Sequence, residues 1–215
     1  MYNPHQVTRE FEKAIAEYTG APYVVALDNA SNALFLALKY CNIEGKTISI
    51  PSRTYPSVPC EIIHAGGKVE FLPIEGNTLK GPYKLVGTNV IDSALRFTAN
   101  MYIPGTFMCV SFTNSYKPVK LGCKAGAILL DDEEAYKWFK KARFNGRQEC
   151  SYHDDDFDSE PSVVGWNFYL SPDIATRGLI LMNDFYNPDG SKKHIEDIEL
   201  PYPDLSKFSI FSSNK

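Results

Sequence analysis

The stretch "SFTNSYKPVKLGCKAGAIL", residues 111–129, sets Lys117, Lys120 and Lys124 directly before a small, apolar run that reads as a buried strand. Lysine is among the residues least often buried, so a lysine at that junction is a candidate for the chemistry of its amine. A partly desolvated amine attacks carbonyl carbon near neutral pH. Two other places carry polar groups at element ends. Asp92 closes the strand-like "TNVI", and Asn29, Ala30 and Ser31 stand where the strand "YVVAL" gives way to a helix. A helix N-terminus offers N–H groups and the positive end of its dipole to an anion such as phosphate. The plain alternatives are a turn aspartate for Asp92 and an ordinary cap for Asn29 or Ser31, and the cap is compatible with anion contact.

The surrounding elements are legible from apolar spacing. Val7, Phe11, Ala14, Ile15 and Tyr18 repeat at helical intervals up to Gly20. "YVVAL" (23–27) is a short buried strand, and Leu34, Ala37, Leu38 and Cys41 form the stripe of the next helix. "KTISIPS", the short helix "YPSVPCEIIHAGG" and "KVEFLPI" complete a βαβ rhythm, which implies parallel strands and right-handed crossovers. "YKLVGTNVID" and "TFMCVSF" read as central strands. "AGAILLDD" is a further strand, "DEEAYKWFKKARFNGR" a helix with an acidic start, and "SPDIATRGLILMNDF" (171–185) a helix with Ser171 as cap and Pro172 in its first position.

The 215 residues suffice for one sizeable α/β domain. A net charge of −4 argues against nucleic acid or an anionic membrane as main partner. The basic run on "KWFKKARFNGR" reads as one face of an amphipathic helix, and "HDDDFD" (153–158) as a solvated loop rather than a metal site. No metal site is expected. No apolar run reaches a membrane span, and the polar start is unlike a signal peptide. Five scattered cysteines (41, 60, 109, 123 and 150) without a C-x-x-C pair read as free thiols in a cytoplasmic protein.

Four segments, in order, resemble the DegT/DnrJ/EryC1/StrS family of pyridoxal-phosphate-dependent sugar aminotransferases. They are "ALDNASNALFLALKY" with "ISIPSRTYPSVPCEIIHAGGKVEFLPIE" behind it, "NVIDSAL", "VSFTNSYKPVKLGCKAGAILLDDEEAYKWFKKARFNG" and "GWNFYLSPDIATRGLILM". The resemblance covers roughly residues 10–185. It implies a three-layer α/β fold, the fold-type-I aminotransferase large domain, with a mostly parallel sheet. It also implies a role for each matching position. Lys117 would be the Schiff-base lysine, with Lys120 as the alternative and Lys124 a bystander. Asp92 would pair with the pyridinium nitrogen. Asn29, Ala30, Ser31 and Ser111 would hold the phosphate, and Tyr55 would stack on the ring, a core aromatic being the other reading. Asn167 would reach across a homodimer to the partner subunit's cofactor, or be a structural loop asparagine.

The chain also departs from the family pattern. Asn29-Ala30-Ser31 stands where the family has Ser-Gly-Thr, Leu95 where it has glutamine, "CKAG" where it has a glycine-rich turn, and Tyr169 where it has arginine. Only residues 75–91 lie between Ile74 and Asp92, so the fold is expected to lack one strand-helix unit there. The small C-terminal domain is expected to be largely absent, leaving a cofactor-binding domain at 1–185 and an arm or tail at 186–215. The function expected is a pyridoxal-phosphate aminotransferase acting on a keto-sugar nucleotide or related carbonyl with an amino donor. The alternative is a non-catalytic relative that keeps the fold and serves as a partner subunit or scaffold.

Overall fold

The computed structural model describes residues 3–113, 119–149 and 161–212. The first half alternates helix and strand: α1 (Gln6–Thr19), β1 (Tyr23–Leu27), α2 (Ala30–Tyr40), β2 (Thr47–Pro51), α3 (Ser57–His64) and β3 (Lys68–Leu72). There follow β4 (Thr78–Lys80), β5 (Tyr83–Lys84), β6 (Val90–Asp92), β7 (Phe107–Ser111), β8 (Gly126–Leu130), α4 (Glu133–Ala142) and α5 (Pro172–Met182). Near the C-terminus lie β9 (Glu199–Pro201) and α6 (Ser209–Ser212).

The central sheet has the order β1-β8-β7-β6-β5. It continues through a bridge between Val86 and Ser49 into the parallel pair β2–β3. Reading the pairings along this series, β1, β7, β6, β2 and β3 run one way, and only β8 and β5 oppose them. The sheet is therefore mostly parallel in strand direction, as expected. Side chains alternate across it with period two. Ile128 and Leu130 of β8 join the core beneath α2, α3 and α4, while Ala127 and Leu129 join the core beneath α1 and α5. Three layers result.

The segment "YKLVGTNVID", expected as one central strand, is instead the hairpin β5–β6, closed by a hydrogen bond from Leu85 N–H to Val90 O at 3.0 Å. A parallel partner would need a crossover of roughly a dozen residues. The few residues between Lys84 and Val90 permit only an antiparallel return. The reversed strand β5 lies between β6 and β2 in the sheet.

The stretch after α5 turns back over the domain. Arg96 forms two hydrogen bonds to Asp197, at 2.8 and 2.7 Å, and β9 pairs with β4. Leu205 N–H donates to Ser52 O at 2.8 Å. The basic residues at the end of α4 are neutralised internally. Arg143, fully buried, and Lys140 both pair with Glu12 and Glu149. These cations serve packing between α1 and α4.

Candidate functional site

The strands that share a direction end on the same side of the sheet, and in open α/β sheets that carboxyl edge is where ligands bind. A cavity of about 450 Å³ lies there, within the roughly 300–1,000 Å³ of small-molecule sites. Its position follows from register. Leu27 of β1 sits opposite Gly126 of β8, and Gly126 opposite Ser111 of β7. The chain after Leu27 enters α2, so the start of that helix forms one wall.

Asn29 is the N-cap, its side chain accepting from Asn32 N–H at 2.8 Å. The cap reading of Asn29 therefore holds, and it leaves the first-turn N–H groups of α2, which have no intrahelical acceptor, at the cavity wall with Ala30 and Ser31. Gly126 explains the close approach of sheet and helix. A Cβ there would lie 2.6 Å from Ala30 N and 2.8 Å from Ala30 Cα, so only glycine lets β8 abut the α2 start.

Ser111 also lines the cavity, and its Oγ donates to Thr113 Oγ1 at 3.5 Å. The two hydroxyls, two positions apart at the end of β7, face one way, as strand periodicity requires. Thr113 was not anticipated, although its spacing from Ser111 is the signal that would have found it. Tyr55, also in the lining, is 58% exposed, which removes the core-aromatic reading.

Asp92 ends β6, is 5% exposed and faces the cavity. Its Oδ1 accepts from Ala94 N–H at 2.9 Å and its Oδ2 from the Tyr83 hydroxyl at 2.9 Å. Asp92 thus accepts within its own turn and also lines the cavity. Burial, then the Asp92 charge, pushes the Tyr83 hydroxyl far above its usual value, so it stays a donor.

Two of the three lysines fall within the described residues. Lys117 lies outside the described residues. Lys120 is exposed and does not line the cavity, whereas Lys124, expected to be a bystander, does. The cause is the direction of β8. Because it runs against its neighbours, its start rather than its end meets the ligand edge, and the turn at Gly122 (φ 68°) carries Lys124 there. Lys124 is also near enough to Asp28 to oppose the upward push that burial gives that carboxyl. Asn167 is exposed, bridges Phe144 and is not in the cavity wall. Tyr202, from the returning C-terminal stretch, is in the wall and was not foreseen. Among the described residues no His, Cys, Asp or Glu cluster could hold a metal ion, and no helix is long and apolar enough to cross a membrane. "HDDDFD" and Cys150 lie outside the described residues.

Residues 2–90 match the sequence model of the DegT/DnrJ/EryC1/StrS aminotransferase family. A UDP-4-amino-4,6-dideoxy-N-acetyl-beta-L-altrosamine transaminase of Campylobacter jejuni is 26% identical over a 205-residue alignment covering 77% of this chain and 53% of that protein. The spore coat polysaccharide biosynthesis protein SpsC of Bacillus subtilis is 39% identical over 79 residues, 36% of this chain and 20% of its own length. Among solved structures, a PLP-dependent aminotransferase from Bacillus cereus superposes with a TM-score of 0.68 at 19% identity, covering 86% of this chain and 60% of that one. Helicobacter pylori PseC, an aminotransferase of pseudoaminic acid biosynthesis, gives 0.65 at 18%, covering 83% and 58%. The chain spans about half the length of the Campylobacter relative.

Proposed function

The chain belongs to the DegT/DnrJ/EryC1/StrS aminotransferase family, and on that premise we propose that its cavity binds pyridoxal 5'-phosphate and that the chain is a sugar aminotransferase, acting on a keto-sugar nucleotide with an amino donor. One observation carries the proposal. Six of the eight positions that the family resemblance assigns to the cofactor converge on a single cavity from four separate segments. Of the other two, Lys117 lies outside the described residues and Asn167 would act only across a dimer.

The donor set suits the group. The α2 N-terminus with Ser31, Ser111 and Thr113 would hold the phosphate, and the glycine at 126 leaves the close approach that this needs. Tyr55 would cover a ring face. Asp92 would face the pyridine nitrogen and keep it protonated. When bound, the cofactor supplies an electron sink for the carbanion formed beside the amino group. Lys117 would hold the cofactor through its amine and move a proton at the substrate carbon. The residues from 186 onward would act as an arm on a cofactor-binding domain, and the working unit would be a homodimer with Asn167 crossing to the partner subunit. A non-catalytic role in a larger assembly is the second reading, favoured by Leu95, Tyr169 and "CKAG" at positions where the family carries other residues.

The test is an absorbance spectrum with added pyridoxal phosphate, followed by borohydride reduction and peptide mapping. Cofactor mass on the Lys117 peptide, with the yellow absorbance lost in Lys117→Ala, is the expected result. Labelling at Lys120 or Lys124 alone would reassign the lysine. A folded, cofactor-saturated protein with no labelled lysine would favour the second reading, and failure to bind at all would end the cofactor assignment.

A further inference from the structure

Behind the cavity wall, three polar side chains form a directed chain. Asp92 can only accept when ionised, so the single proton of the Tyr83 hydroxyl goes to its Oδ2, at 2.9 Å. The Thr54 hydroxyl, 2.6 Å from the Tyr83 hydroxyl oxygen, must then donate to it. Thr54 is 1% exposed and belongs to the loop that carries Tyr55 into the cavity. Tyr83 comes from β5, the strand that runs antiparallel to β6. The two are packed behind Asp92, and neither lines the cavity.

We propose that Tyr83 is a positioning residue that acts through Asp92: with Ala94 N–H on the other oxygen, it fixes the plane of the carboxylate presented to the cavity. This rests on the cofactor reading above. Donors on both oxygens prevent the carboxylate from swinging about its last bond, so its cavity-facing lone pairs keep one direction. Thr54 orients the tyrosine hydroxyl in turn, and a chain of bonds with one proton order strengthens each member. The hairpin thereby does more than close a gap in the sheet. It delivers a side chain from the antiparallel strand β5, and links the loop after β2 with β5 and β6 at one point.

A double-mutant cycle read by pyridoxal phosphate titration of the purified chain tests this. Tyr83→Phe in the wild-type background should weaken binding about tenfold, the scale of one hydrogen bond to a charged group. In an Asp92→Ala background the same substitution should change affinity by less than about twofold, because the group it acts through is gone. Equal losses in the two backgrounds would mean that Tyr83 only supports the fold, and would overturn the role. So would an unchanged affinity in Tyr83→Phe alone. Should Tyr83→Phe fail to fold, Thr54→Val removes the other end of the chain and should show the same background dependence, with equal losses again overturning the role. A wild-type chain that binds no cofactor would instead overturn the cofactor reading, an outcome distinct from any result of the cycle.

Discussion

On the side of the cavity built on β1, β8 and β7, the lining groups come from strand ends, the turn before β8 and the α2 cap: Asn29, Ser31, Ser111 and Lys124. On the side built on β6, Asp92 is held from behind by Tyr83 of the reversed strand, and Tyr202 closes the wall from the far end of the chain. The first side depends on close approach of backbones and needs a glycine. The second depends on side chains brought from distant segments and needs a buried hydrogen-bond chain. The two sides of one cavity are thus built by different means, one by backbone approach and the other by side chains from distant segments.

The largest separation between the two sides should come from Asp92→Asn. It keeps size and an oxygen to accept from Ala94 N–H, but its amide nitrogen cannot accept from the Tyr83 hydroxyl, and the charge facing the cavity is removed. Transamination, if the chain catalyses it, should fall by several orders of magnitude, while phosphate-side contacts still hold the cofactor. A loss below tenfold in single-turnover measurements would show that the β6 side does not serve the chemistry.

Substitution outside both sides provides the contrast in stability. Arg143 is fully buried against Glu12 and Glu149, and its guanidinium also donates to Ala26 O. Arg143→Ala leaves two buried carboxylates without their main partner and should cost about 3–5 kcal/mol in denaturant unfolding. The same cluster sets a pH response. Burial alone would raise the Glu149 carboxyl, but Arg143 and Lys140 outweigh it and hold the group below its usual range. Its contribution is present above the unfolded value and lost as pH falls through the folded one. Burial lowers His5 as well, so its share is present above the unfolded value of 6.5 and lost on acidification. Stability should therefore drop as pH is taken from 7 towards 4. A flat profile in that window would show that the cluster is not coupled to folding.

Gly126→Ala probes the backbone-built side. The added Cβ meets backbone atoms of Ala30, which cannot rotate away. Overpacking of this kind costs about 1–3 kcal/mol. Cofactor affinity should fall with it, since α2 must shift, whereas the hydrogen bond from Tyr83 to Asp92 should survive. Unchanged unfolding and unchanged affinity would mean that the sheet does not press on the helix start.

What could be read in advance divides along the same line. Strands such as Val24–Leu27 and Phe107–Val110 carry unbroken apolar runs, and the caps Asn29 and Ser171 are local signals, so these elements and the residues at their ends were legible. Asp92, Ser31, Ser111 and Tyr55 were singled out through the family resemblance, and all four line the cavity. The hairpin was not legible, because "YKLVGTNVID" is equally apolar as one strand or as two short ones. Tyr83 and Tyr202 reach the site through pairings with β6 and β4, which no local pattern encodes. Lys124 was set aside on its spacing relative to the family's lysine, and its place in the cavity wall depends on the direction of β8, which no local pattern encodes.

Lys124 gives the smallest expected effect and the finest test of the phosphate side. It lines the cavity beside the α2 start, yet its side chain is exposed, so solvent screens its charge. An exposed ion pair is worth about 0.2–1 kcal/mol, which is less than about sixfold in affinity. Lys124→Gln should therefore weaken pyridoxal phosphate only severalfold, and added salt should shrink that difference. The comparison with pyridoxal identifies the contact. Pyridoxal lacks the phosphate, so its weaker binding should be the same in wild type and Lys124→Gln. If the substitution weakens both ligands equally, Lys124 acts on the ring or on the fold of the 122–125 turn, and the phosphate side ends at the helix and the two hydroxyls.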